Sequence, residues 1–135
     1  MKYLVLSGRI LFSLIFLMTL MSHFKKEVID YATMKGVPAA AFFVPFSGII
    51  AIVGAVSIIL GYKAKMGAWL IVLFLIPVSF YMHAFWNETD PTIMKMQMAN
   101  FMKNLSLIGA ALLISYFGSG PLSIDKENSS AEQKK

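Results

Sequence analysis

Four runs of apolar residues, each about as long as a bilayer is thick, constrain this chain more than any single motif does. A helix needs about 20 mostly apolar residues to cross a hydrocarbon core of about 30 Å. The first run extends from about Tyr3 to Phe24 and is broken only by Arg9. The second extends from about Ala39 to Tyr62 without a charge, and the third from Met66 to Trp86. The fourth extends from about Met98 to Phe117, with Lys103 in its opening turns. In lipid, each spanning segment must satisfy its own backbone, which selects helices here. The expected fold class is all-α, a transmembrane four-helix bundle. Lys2 gives the first run the basic start of a signal peptide. Arg9 then interrupts the apolar region and no small-residue cleavage site follows, so the run is read as a retained span.

The excluded classes follow from composition. The chain is 58% hydrophobic and 14% charged, against about 45–50% and about 25% in soluble domains. With no cysteine it has no disulfide framework, zinc knuckle or iron–sulfur ligation. The net charge of +5 is assigned to membrane topology, and no nucleic-acid partner is expected. Residues 1–118 form one membrane domain, followed by a polar, largely disordered tail over 119–135. Lys25–Pro38 reads as a short interfacial helix ended by Gly36 and Pro38. Gly61–Lys65 reads as a tight turn, and Asn87–Lys95 as a polar loop in which Pro91 breaks any helix.

Four spans put both termini on one side. That face carries Lys2, Arg9, Lys63, Lys65, Lys126, Lys134 and Lys135, against Lys25, Lys26, Lys35, Lys95 and Lys103 on the other. The excess predicts cytoplasmic termini in a multi-pass plasma-membrane protein of the bacterial inner-membrane type. Ser47, Gly48, Ala51, Gly54 and Ala55 form a small-residue stripe on the second span. Its expected use is packing within the monomer, with a homodimer seam as the alternative.

Ionisable residues at membrane depth need a partner or a wet cavity. Arg9 reads either as a snorkelling residue or as an anion or headgroup contact within the bundle. At the opposite end, His23 closes the first span, His83 and Trp86 close the third, and Gln97, Asn100, Lys103 and Asn104 open the fourth. Alternating helix direction is expected to bring these residues to one level as a candidate ligand-binding set. The alternative is hydrogen bonding between helices. Two histidines alone make a poor metal site, and Glu88 and Asp90 lack ligand spacing, so no metal is expected. Axial haem ligation by His23 and His83 is weighed as a minor alternative. No paired carboxylates, Ser–His–Asp arrangement or phosphate-cradling glycine loop marks a stand-alone enzyme.

A set of short segments resembles the DoxX family of small four-helix membrane proteins. They are Gly8-Arg9, Lys35-Gly36-Val37-Pro38, Gly54, Gly61, His83-Ala84-Phe85-Trp86, Gln97-Met98, Phe101, Lys103-Asn104-Leu105 and the run Gly118 to Asp125. The resemblance implies the four-helix membrane fold and links to quinone-coupled sulfur oxidation or membrane oxidoreductase assemblies. Distant eukaryotic relatives of that family imply membrane chaperones or cargo receptors. The resulting expectation is an accessory, quinone-interacting subunit of a membrane redox system. Quinone is its candidate cofactor, His83, Lys103 and Asn104 hold the headgroup, and a membrane-protein partner supplies the redox centre. The competing expectation is a scaffold or chaperone that packs against other membrane proteins without a cofactor. Both readings place the chain in a lipid bilayer.

Overall fold

The computed structural model describes residues 1–125, and all regular structure among them is helical. The long helices are α1 (Lys2–Thr19), α3 (Ala40–Leu60), α4 (Ala64–Met82) and α5 (Pro91–Phe117). A 3₁₀ turn at Leu20–Phe24 extends α1, the short helix α2 covers Lys26–Met34, and a second 3₁₀ turn at Phe85–Asn87 follows α4. The four long helices are each long and apolar enough to cross a membrane.

The central pair is α3 and α4. Here the backbones approach so closely that a Cβ on Gly54 would lie 2.8 Å from the Gly67 carbonyl oxygen, and one on Gly67 2.9 Å from that of Gly54. Gly48, Ala51, Gly54 and Ala55 are all buried, so the stripe is used inside the chain. Gly67, its counterpart on α4, is the residue the sequence reading missed. Helix α1 packs on α3 and helix α5 on α4. The α5 seam is Gln97, Asn104 and Ala111, buried at the seven-residue spacing of a helix that follows a single neighbour. Phe16 reaches across to Phe74, with ring centroids 6.2 Å apart, and joins α1 to the core around Ile58, Ile71 and Leu75.

Two local features differ from expectation. Pro91 starts α5 instead of breaking it. Proline is tolerated at the first helical position, where the N–H would have no partner, and the Asp90 carboxylate accepts from Thr92 N–H and Ile93 N–H as the N-cap. Helix α5 therefore runs for 27 residues, about 40 Å, instead of opening near Met98.

The second difference lies after Gly118. The stretch up to Asp125, where a disordered tail was expected to begin, folds back over the α3–α4 turn. The N–H groups of Ile124 and Asp125 donate to the carbonyls of Leu60 and Gly61 at 3.1 and 3.0 Å, and the Asp125 carboxylate accepts from Lys63 N–H. These bonds satisfy carbonyls that the end of α3 leaves without helical partners. The rest of the expected tail, residues 126–135, lies outside the described residues.

Arg9 holds this segment. Its side chain is buried, and Nη2 donates to the carbonyls of Leu122 and Pro121 at 2.5 and 3.4 Å. Gly61 has φ +64°, and any Cβ there would collide with Arg9 Nη1. The guanidinium thus binds the chain's own carbonyls at the C-terminal, electronegative end of α3, where the sequence suggested snorkelling or an anion contact. Hydrogen bonds from a charged donor contribute about 1.5–3 kcal/mol. Arg9→Gln is therefore expected to speed hydrogen exchange of the Ile124 and Asp125 amides by about 10- to 100-fold, followed by mass spectrometry in detergent. Unchanged exchange would mean that the segment holds without the guanidinium.

Candidate functional site

A difference in helix length opens the main cleft. The 3₁₀ turn that prolongs α1 stops beside Gly48 and Phe74: a Cβ on Gly48 would lie 2.7 Å from His23 Cβ, and the His23 and Phe74 rings are 5.6 Å apart. Both α3 and α4 continue outward beyond that level, to Ala40 and Met82, which is about 12 Å further in each case. Over this outer third α1 no longer covers its side of the pair, while α5 still follows α4, and α2 folds across the gap. It packs Ala32 against Ala40 and Val44, with Val28 and Met82 beside them.

What remains open is a cleft of about 470 Å³, a size typical of small-molecule sites. Apolar side chains form nearly all of its wall, among them Val28, Phe43, Val44, Ile50, Leu73 and Val78. Two imidazoles, His23 and His83, also line it. His23 Nδ1–H donates to the Thr19 carbonyl at 2.9 Å. A carbonyl only accepts, so the neutral ring carries its proton on Nδ1 and offers Nε2 as an acceptor.

A polar network lies over the outer end of the cleft. His83 Nδ1–H donates to Gln97 Oε1 at 2.8 Å, and Gln97 Nε2–H donates to the Tyr31 hydroxyl at 3.2 Å. Lys35 forms an ion pair with Glu88, and its ammonium sits 5.4 Å from the Tyr31 ring centroid. Together these contacts pin α2 to the end of α4, to the loop that follows it and to α5.

The structure divides the predicted residues among several places. His83 and Gln97 meet, and His23 shares the cleft with His83. Yet His23 stands beside Phe74, nine residues and about 13 Å inward along α4. The single level read from the sequence does not exist, because α1 ends early. Trp86 belongs to an aromatic cluster with Phe80, Phe85 and Phe101, at centroid distances of 5.2–6.1 Å. Asn104 is buried in the α4–α5 seam. Lys103 is exposed and donates to Asn100 Oδ1 at 3.2 Å. Arg9 lies at the opposite end of the fold. Tyr31, Lys35 and Glu88 were not singled out, although opposite charges in two loops of the same face were a usable cue. Among the described residues no three His, Asp or Glu side chains converge as a metal site.

The Glu88 hydrogen bond holds the Lys35 amine above its ordinary value of 10.5, against the opposing effect of desolvation. A raised amine contributes its full stabilisation below that ordinary value and loses it as pH climbs through the raised one. The docking of α2 is therefore expected to be constant from neutral pH to about 10 and to weaken above 10.5. Lys35→Met and Tyr31→Phe should each cost about 1 kcal/mol, read as roughly fivefold faster exchange of the Val37 amide, which donates to Ala32. Unchanged exchange in both variants would show that apolar packing alone holds α2.

Comparison with known proteins identifies the chain more firmly than the site does. The chain is 29% identical over 98 residues to the inner membrane protein YphA of Escherichia coli, covering 73% of this chain and 69% of that one. It is 31% identical over 84 residues to the ER-derived vesicles protein ERV29 of Saccharomyces cerevisiae. That alignment covers 61% of this chain but 26% of the yeast protein, so the match spans about a quarter of that relative's length. No solved structure matches the chain significantly. A family model covering residues 1–130 corrects the resemblance to DoxX proteins. The segments behind that resemblance are short and scattered over turns, helix ends and helix interiors, whereas the family match is continuous. By this match, and with four helices fit to cross a membrane, the chain is a multi-span integral membrane protein of the SURF4 family.

Proposed function

We propose that the protein is a lateral adaptor in the membrane, a scaffold that packs against other membrane proteins through α5. One observation carries this reading. Asn100 and Lys103 form a hydrogen-bonded pair on a flank of α5 that the rest of the chain leaves open, with exposed Ser106 one turn beyond Lys103. Lys103 lies six residues, about 9 Å, inward of Gln97, which bonds to His83 at the end of α4. Polar groups at such depth are costly against lipid and serve as hydrogen-bonding contacts between helices. Helix α5 also has the most free surface: 11% of its most apolar stretch is buried, against 39% for α4. The yeast relative's name ties that protein to ER-derived vesicles, a membrane setting compatible with an adaptor.

The quinone-binding alternative has less behind it. Lys103 donates to Asn100, and both imidazoles donate their Nδ1–H to protein oxygens. Neutral rings so placed have no N–H left for a quinone oxygen.

A photocrosslinking residue in place of exposed Met102 should capture one discrete membrane protein in native membranes. Asn100→Leu should cut that adduct about threefold or more, the effect of one interhelical hydrogen bond. Adducts of lipid mass alone would sink the adaptor reading. For orientation, we propose that the Arg9 end faces the cytoplasm of an inner-membrane-type bilayer, as the lysine excess suggests. Reporter fusions after Lys65 should then read as cytoplasmic and fusions after Pro91 as external. The opposite pattern would invert the orientation.

A further inference from the structure

The cleft between α3 and α4 has a shape and a polarity that specify a ligand of its own, independent of the α5 surface. From Leu73 to His83 it follows α4 for ten residues, about 15 Å, half the thickness of a hydrocarbon core. It therefore spans one leaflet. Phe43, Phe46, Leu73 and Tyr81 are exposed along it, so its mouth opens sideways at membrane depth. Helix α2 covers the outer end.

Apart from the hydroxyl of exposed Tyr81, which can donate or accept, the polar atoms along this apolar wall are chiefly acceptors. Pro77 has no N–H, so the Leu73 carbonyl loses its usual helical donor, and both residues line the cleft. His23 spends its Nδ1–H on Thr19, and His83 spends its own on Gln97, which leaves two Nε2 lone pairs. The Ser47 hydroxyl, which could have donated to a ligand, donates instead to the Val44 carbonyl at 2.8 Å. At the Leu73 carbonyl and the two imidazoles an ester or quinone oxygen would meet acceptors facing acceptors. A hydroxyl brings the missing donor, and a hydrocarbon tail fills the apolar length.

We propose that the cleft binds a hydroxyl-bearing lipid, with one tail lying along α4 and the hydroxyl donating to a histidine Nε2. Diacylglycerol is a suitable probe, since its only donor is one hydroxyl.

The test uses the full chain in nanodiscs doped with one of three lipids that carry the same photoreactive diazirine acyl chain: diacylglycerol, phosphatidylcholine or the free fatty acid. After irradiation, adducts are mapped by peptide mass spectrometry at Ile50 and Val78 in the cleft and at exposed Leu113 on α5. Diacylglycerol should label the cleft about tenfold more than phosphatidylcholine does, the ratio one hydrogen bond supplies, while Leu113 should not discriminate. Val78→Trp should fill the cleft and abolish its labelling. His23→Phe and His83→Phe keep a flat ring and remove the acceptor. At least one of them should erase the preference for diacylglycerol while tail labelling continues, with thermal unfolding used to confirm that each variant is folded. Equal labelling of the cleft and Leu113 by all three probes would overturn the proposal, as only annular lipid would then be present. Preference for the fatty acid would overturn it too, because the ligand would be a carboxylate. A diacylglycerol preference that survives in both histidine variants would overturn the assignment of the hydroxyl.

Discussion

The close approach of α3 and α4 at Gly54 and Gly67 is the contact on which the rest of this molecule depends. Inside a bilayer, burying a leucine side chain against another helix gains little, because lipid tails are equally apolar. Association rests on backbone proximity, dispersion and hydrogen bonds. The glycine and alanine surface lets two helices come close over several turns. Helix α1 then leans on α3, and α5 follows α4 along one narrow seam. A Cβ added at either glycine would meet backbone oxygen under 3 Å away. It could be accommodated only by moving the whole pair, and with it every element that packs outside.

The cleft is a product of the same arrangement. A tightly joined pair that runs further out than α1 leaves a lateral opening, and a short amphipathic helix is well suited to cover it. The outer network of Tyr31, Lys35, His83, Glu88 and Gln97 has no reaction to perform in order to be explained. It fixes the angle at which α2 crosses the pair, and so sets the size of the space beneath.

The sequence made the four spans legible because hydrocarbon imposes length and polarity on any helix that crosses it. The small-residue stripe was legible for a similar reason: a row of missing side chains at helical spacing has few other uses. Pro91 was harder, since a proline that ends one helix and a proline that begins another look alike until the preceding Asp90 is seen to cap. The level of His23 was not readable. It depends on where α1 stops relative to its neighbours, which Phe24 and Lys25 do not encode alone. The cluster expected on α5 was read on the right helix but as one group, whereas helical rotation sends Asn104 into the seam and Lys103 to the flank. The family was misjudged because the resemblance rested on short, separated segments, while the family match runs over residues 1–130.

The contact between Arg9 and the carbonyls of Pro121 and Leu122 joins residues 112 and 113 positions apart. During synthesis the guanidinium enters the membrane with the first span, long before its acceptors exist. It must wait, paired with water or headgroups, while three more helices are inserted. Only an even number of crossings returns the stretch after α5 to Arg9. A chain that skipped one crossing would present that stretch on the wrong side and leave the charge without its partners. The final link can thus close only after all four spans are in place.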